Sequence, residues 1–228
     1  MTAMIVILAL VFGLAVLPQM WVRRVIAKHS GDRADFAGTG GEFARHLLDG
    51  MKLDHVKIEE TSLGDHYDPD AKAVRLLPQH LKGRSLTALV IAAHETGHAI
   101  QDANGYRPLV VRTRLAKQAI RLEKVGAVVM LAAPVVMMLA KAPHIFLFEV
   151  CAGVLLLGIS VAMHAYTLPV EYDASFRRAL PLLKAGSYIP ERDMPAAREL
   201  LRAAAFTYVA AAAMSLLDVV RWVRVLRL

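Results

Sequence analysis

Cysteine is all but missing. Cys151 stands alone, which excludes an intrachain disulfide framework and any thiolate zinc cluster, since each needs at least two thiols. It sits in an apolar run, where its ordinary role is that of a small buried hydrophobe. Charge is scarce too: 21% of residues are charged against 56% apolar, and mean hydropathy is +0.43. No charged side chain occurs before Arg23, between Lys124 and Lys141, or between Glu149 and Glu171. Such a chain is too apolar for disorder and argues against an ordinary cytosolic enzyme. No internal repeat, low-complexity linker, zinc-finger spacing or aromatic-interleaved basic patch is present, so the net charge of +7 does not point to nucleic acid. It fits the positive-inside bias of a membrane protein.

The uncharged stretches read as spans. Residues 1–22 are long enough to cross a hydrocarbon core of about 30 Å. No basic segment precedes this run and no small-x-small site follows it, so it reads as an anchor rather than a cleaved signal peptide. Arg23, Arg24 and Lys28 then hold its C-terminal flank in the cytoplasm. Val125 to Ala140 and Val150 to Val170 read as a transmembrane hairpin, 125–170. Arg112, Arg114, Lys117, Arg121 and Lys124 lie at one base; Arg177, Arg178, Lys184, Arg192, Arg198 and Arg202 lie at the other. Residues 203–220 are Ala-rich and contain Asp218. They read as a fourth span or as a helix packed on the others, followed by a basic tail at 221–228.

Between the first two spans lies a water-facing segment, 23–124. Thr39 with Glu42 forms a capping box before a short amphipathic helix that ends at Gly50. Val56 and Ile58 alternate with charged neighbours as in a half-buried strand. Asp68, Pro69 and Asp70 supply turn chemistry between His66 and Tyr67 and the apolar stretch Ala73, Val74, Arg75, Leu76 and Leu77, so a hairpin is expected there. Ser85 caps a helix over 85–103 that Asn104 and Gly105 stop.

That helix contains His94, Glu95, Thr96, Gly97 and His98, an HExxH motif. At 100° per residue the two histidines lie 40° apart and one turn along, so both imidazoles can reach one Zn²⁺. Glu95 is displaced from the metal but near enough to act as base toward a metal-activated water. Nine histidines in 228 residues, with as many glutamates, give a chance expectation of about 0.014 copies of the motif. The expected fold class is therefore a mainly α membrane protein: about four transmembrane helices and a small α+β zincin-like cytoplasmic domain carrying a short hairpin or sheet.

A catalytic zinc usually has three protein ligands, and the position six residues after His98, where one class of such enzymes has a third histidine, holds Asn104. The third ligand must come from farther away. Asp102, Glu123, Glu149, His164, Glu171 and Asp173 are the candidates. Glu171 follows Pro169 at the end of an apolar run, in the cytoplasmic segment 171–202, where its ordinary role is a solvated carboxylate at a helix start. His164 is an ionisable group at membrane depth, equally suited to an interhelical hydrogen bond.

His66 to Pro69, the run Ala92 to Gln101, and Glu171 to Ser175, in that order, resemble the bacterial putative neutral zinc metallopeptidases of the YugP type. The similarity covers nearly the whole chain, including 205–211, and implies a membrane-anchored zinc peptidase. More distantly the chain is similar to HtpX-type and CAAX-processing membrane metallopeptidases, whose HExxH is completed by the Glu of an ExxAD pattern. That resemblance implies Glu171 as third ligand, with one Zn²⁺ per chain. Ser175 stands in the Asp place, so an outer carboxylate would have to be Asp102 or Asp173.

The expected activity is peptide hydrolysis, with Glu95 taking a proton from the attacking water and passing it to the leaving amine. Tyr67, His164, Tyr172 and Arg177 are unranked candidates for a further oxyanion donor. Ala73 to Leu77 is either an edge strand on which a peptide lies or an ordinary structural strand. The expected partners are the lipid bilayer and a peptide or membrane-protein substrate; the expected place is the bacterial inner membrane, multi-pass, with the site facing the cytoplasm. Two other readings compete. One is a scaffold holding a structural zinc. The other is an intramembrane protease, suggested by Leu48-Asp49-Gly50 but opposed by its position before the HExxH helix.

Overall fold

The computed structural model describes residues 2–140, 151, 155, 158, 159, 162, 163, 166–186 and 188–207. The chain divides into two compact units, one of residues 1–17, 111–167 and 208–228, the other of 18–110 and 168–207. The candidate site belongs to the second.

Helix α1 spans Thr2–Lys28 and α2 Gly40–Gly50; strands β1 (Lys57–Glu60), β2 (His66–Asp68) and β3 (Ala73–Leu76) follow. Next come α3 (Pro78–Leu81), α4 (Leu86–Ala103) and α5 (Arg107–Ala140). The later part contains a π-helical segment, Asp173–Ala179, a short helix, Leu180–Ala185, and a helix over 194–207.

Local chemistry sets the element ends. Both halves of the Thr39 and Glu42 capping box are made. Ser85 Oγ accepts the Ala88 amide at 3.1 Å to open α4, and Gly105, at φ +60°, takes the left-handed conformation just past its Asn104 cap. Every residue of α4 from Leu86 to Gln101 is buried. A helix buried all round is a core helix, so each polar group on it needs a partner inside the fold. Leu48 of α2, Leu76 of β3, Leu183 and Leu201 share one buried core with Val90 of this helix.

The sheet order is β1-β3-β2, with β1 parallel and β2 antiparallel to β3. Arg75 locks the register across all three strands, with Nε 2.9 Å from Glu59 Oε2 and Nη1 2.6 Å from Asp68 Oδ2. The expected β2–β3 hairpin is present. The edge-strand reading of Ala73 to Leu77 is corrected: β3 is central, and its backbone is paired on both sides.

The four-span architecture is corrected as well. Among the described residues no helix is long and apolar enough to cross a membrane. Val125 to Ala140 does not stand as a separate helix but continues α5, whose earlier part carries Arg107, Arg112, Arg114, Lys117, Arg121 and Lys124; among the described residues the uncharged remainder is shorter than the roughly 20 residues a span needs. The end of α1 belongs to a folded core, with Val22 and Val25 buried beside Phe36 and Leu48, and it carries Arg23, Arg24 and Lys28. About half of Val150 to Val170 and most of Ala203 to Val220 lie outside the described residues; within 194–207, Ala203 is buried in the same core.

Candidate metal centre

Three side chains meet on the face of α4 turned toward the π-helical segment. Glu171 Oε2 lies 3.1 Å from His94 Nε2 and 3.3 Å from His98 Nε2. The rings are 4.8 Å apart, centroid to centroid, and nearly perpendicular. One ligand atom from each of the three residues falls within 4.8 Å of the others, and the exposures are 4%, 5% and 1% for His94, His98 and Glu171. The expected solvated role of Glu171 is thereby excluded, and Pro169 lies inside a helical run over 166–172 rather than at its first turn.

Burial alone would push the Glu171 carboxyl up. The charge of His98 and the hydrogen bonds of both rings outweigh it and hold the group well below the usual carboxylate range. A buried carboxylate facing two imidazole nitrogens requires positive charge between them, either protons or a cation. Two imidazoles and a carboxylate are the donor set of a zinc site with positions left for water and substrate. The residues present therefore fit the metal.

The approach of the two chain segments depends on Gly97 and on a widened turn. A Cβ on Gly97 would lie 2.7 Å from the Ala174 carbonyl oxygen, so only glycine lets the backbones come this close. In the π-helical segment Asp173, Ala174 and Ser175 are all buried. A regular α-turn would spread three consecutive residues over 200°, a wider π-turn spreads them less, and π-turns recur at functional sites.

Around the ligands, Ser175 Oγ is 3.0 Å from His94 Nδ1, and Gln101 Oε1 is 2.9 Å from His98 Nδ1. Gln101 Nε2 donates to the Val170 carbonyl and to Asp173 Oδ2, both at 2.9 Å, while Arg178 Nε donates to that Asp173 oxygen at 3.2 Å. Glu95 is buried, at 6% exposure, on the turn of α4 between the histidines. Asp102 lies beyond the ligands, its Oδ2 accepting from Tyr67 Oη at 2.6 Å and from Lys72 Nζ at 2.5 Å. Burial and the Asp102 carboxylate push the Tyr67 phenol up. Tyr172 is 57% exposed, and Arg177 is exposed too. Glu149 and His164 lie outside the described residues, and Glu123 belongs to α5.

Gln101 went unremarked in the sequence, although it closes the run that carries the motif. The signal was its spacing: three residues after His98 it lies on the same helix face, and a glutamine inside a helix otherwise packed all round must bond to something.

A family model described as putative neutral zinc metallopeptidase matches residues 3–227. The chain is 34% identical over 215 residues to a protein of Bacillus subtilis (strain 168) called putative membrane protease YugP, covering 93% of this chain and 92% of that one. No solved structure matches the chain.

Proposed function

The chain belongs to the putative neutral zinc metallopeptidase family, and on that premise we propose that it hydrolyses peptide bonds with His94, His98 and Glu171 as zinc ligands and Glu95 as base. The observation that carries this reading is the buried convergence of two imidazoles and a carboxylate within 4.8 Å. When bound, zinc supplies a Lewis acid that makes water nucleophilic near neutral pH and offsets the charge developing on the carbonyl oxygen. Glu95 takes the proton of the attacking water and hands it to the departing amine nitrogen. Its place inside a rigid, fully packed helix fixes its distance from both rings, which is what proton transfer requires. With Glu as the third ligand, the site is of the gluzincin kind.

We place the activity at a membrane, on the cytoplasmic face of the inner membrane, with membrane proteins or their exposed tails as substrates. Support comes from the name of the Bacillus relative, from the uncharged residues before Arg23, and from Met20 and Trp21, which are 40% and 38% exposed beside Arg23 and Arg24. Basic residues next to exposed apolar ones suit an anionic lipid surface.

The test compares membranes carrying the native chain with those carrying Glu95→Gln. Cleavage should fall by about 10²-fold or more while zinc stays near one per chain. Uncut proteins that accumulate in the variant name the substrates. Equal cleavage by the two proteins removes Glu95 as the base.

A further inference from the structure

Gln101 is fully buried, at 0% exposure, one turn beyond His98, and its amide meets three partners. The Val170 carbonyl and the Asp173 carboxylate, itself paired with Arg178, only accept hydrogen bonds. The amide nitrogen must therefore face them, and both of its hydrogens are used. Its oxygen is thereby turned to His98 Nδ1, 2.9 Å away. An amide oxygen cannot donate, so Nδ1 carries the proton, and His98 presents Nε2 toward Glu171 and His94 as a lone pair. Val170 immediately precedes Glu171, so the amide that sets the ring also grips the backbone next to the carboxylate. Different chemistry treats His94 in the same way: Ser175 Oγ donates to the Leu201 carbonyl at 3.3 Å, which leaves it to accept from His94 Nδ1 at 3.0 Å.

We propose that Gln101 is a positioning residue for the metal: one amide decides which nitrogen of His98 faces the ion and holds the chain segment bearing Glu171 at the matching distance. The inference rests on the reading of His94, His98 and Glu171 as zinc ligands. Neither neighbour in chemistry replaces the amide. Methionine offers His98 only a weak thioether acceptor and gives Val170 and Asp173 no donor, and glutamate would set an acceptor against the Val170 carbonyl and Asp173.

The test uses the full-length chain and two readouts, zinc affinity by competition with a chelator and nitrogen–proton spectra that resolve the imidazole N–H groups of the zinc-loaded protein. The native chain should bind one zinc and show two protected Nδ1–H signals, from His94 and His98. Gln101→Met should lower zinc affinity by about 10- to 100-fold and expose only the His98 proton to exchange. Ser175→Ala should expose only the His94 proton. A general loosening of the core moves both signals together and does not produce this crossed pattern. Zinc affinity of Gln101→Met within about twofold of native, or both signals changing together in each variant, overturns the proposal. The native protein tests it without any variant: His98 ligating through Nδ1, with its proton on Nε2, overturns it too. A native chain that binds no zinc overturns the metal-centre reading and the proposal with it, whereas zinc bound with the wrong His98 nitrogen overturns the proposal alone.

Discussion

Gly97 and Ala174 touch backbone to backbone: a methyl group on Gly97 would lie 2.7 Å from the Ala174 carbonyl oxygen. The contact sets how close Glu171 comes to the two rings, because Gly97 lies between His94 and His98 in sequence while Ala174 lies three residues after Glu171. Gly97→Ala should therefore act as a wedge. We expect a loss of about 1–3 kcal/mol in stability from overpacking, together with weaker zinc binding, since lengthening the carboxylate-to-imidazole distances opens the site. Urea melts with and without zinc check both. Native zinc affinity in the alanine variant would show that the site tolerates the displacement and that the close contact serves packing alone.

Tyr67 tests a division of labour. Its hydroxyl donates to Asp102 at 2.6 Å, and Lys72 reaches the same oxygen. The hydroxyl is thus committed to tying β2 to the end of α4. Tyr67→Phe should cost about 0.5–1.5 kcal/mol, the net value of one hydrogen bond, and leave kcat within severalfold of native. A fall in kcat of about 10²-fold with unchanged KM would instead show that the hydroxyl leaves Asp102 to stabilise charge on the substrate.

Acid stability has identifiable contributors outside the site: Asp68 and Asp35 are both held below the usual carboxylate range, and Asp35 gives the clearer test. Asp35 accepts two hydrogen bonds from Arg33, which also bonds Asp193 at 2.8 Å. The hydrogen bonds from Arg33, against a smaller cost of desolvation, lower the exposed Asp35 carboxyl from 3.8 to about 2. A depressed carboxyl contributes stability above its unfolded value and loses it as pH falls through its folded one. The contribution of Asp35 should therefore be complete above pH 3.8 and vanish toward pH 2. Asp35→Asn should flatten the stability profile in that window, measured on metal-free protein so that zinc release does not contribute. An unchanged slope would assign the acid limb to other carboxylates.

Much of the second unit was legible because its signals are local. Thr39 with Glu42, Ser85 with Ala88, and Asn104 with Gly105 each bound a helix through contacts within a few residues, and HExxH needs only one turn. Glu171 was harder, since nothing in its own neighbourhood separates a buried ligand from a solvated carboxylate; the similarity to known peptidases singled it out. The central place of β3 could not be read, because the parallel β1 pairs with it from outside the hairpin. Among the described residues the span reading failed for a related reason. Counting apolar residues does not distinguish those that face lipid from those packed in a fold, and Val22, at the end of the first expected span, is packed in the core. Gln101 shows the converse, a polar residue whose partners at Val170 and Asp173 are distant in sequence.

Glu171→Gln offers the sharpest separation of charge from shape. The amide has nearly the volume of the carboxylate and can still hydrogen-bond to the rings, so the packing of Glu171, 1% exposed, should survive. Its negative charge is lost, and with it the group that two neutral imidazoles need as a partner in holding a divalent ion. Zinc content should drop well below one per chain, cleavage should fall with it, and the metal-free fold should unfold at much the same urea concentration as the metal-free native chain. The paired readout matters because the carboxyl is held below the usual range by His98 and His94: where those rings are protonated, the native metal-free protein keeps an ion pair that the glutamine cannot make, and a modest loss of stability follows. Full zinc occupancy in Glu171→Gln would remove Glu171 from the ligand set and pass that role to another carboxylate.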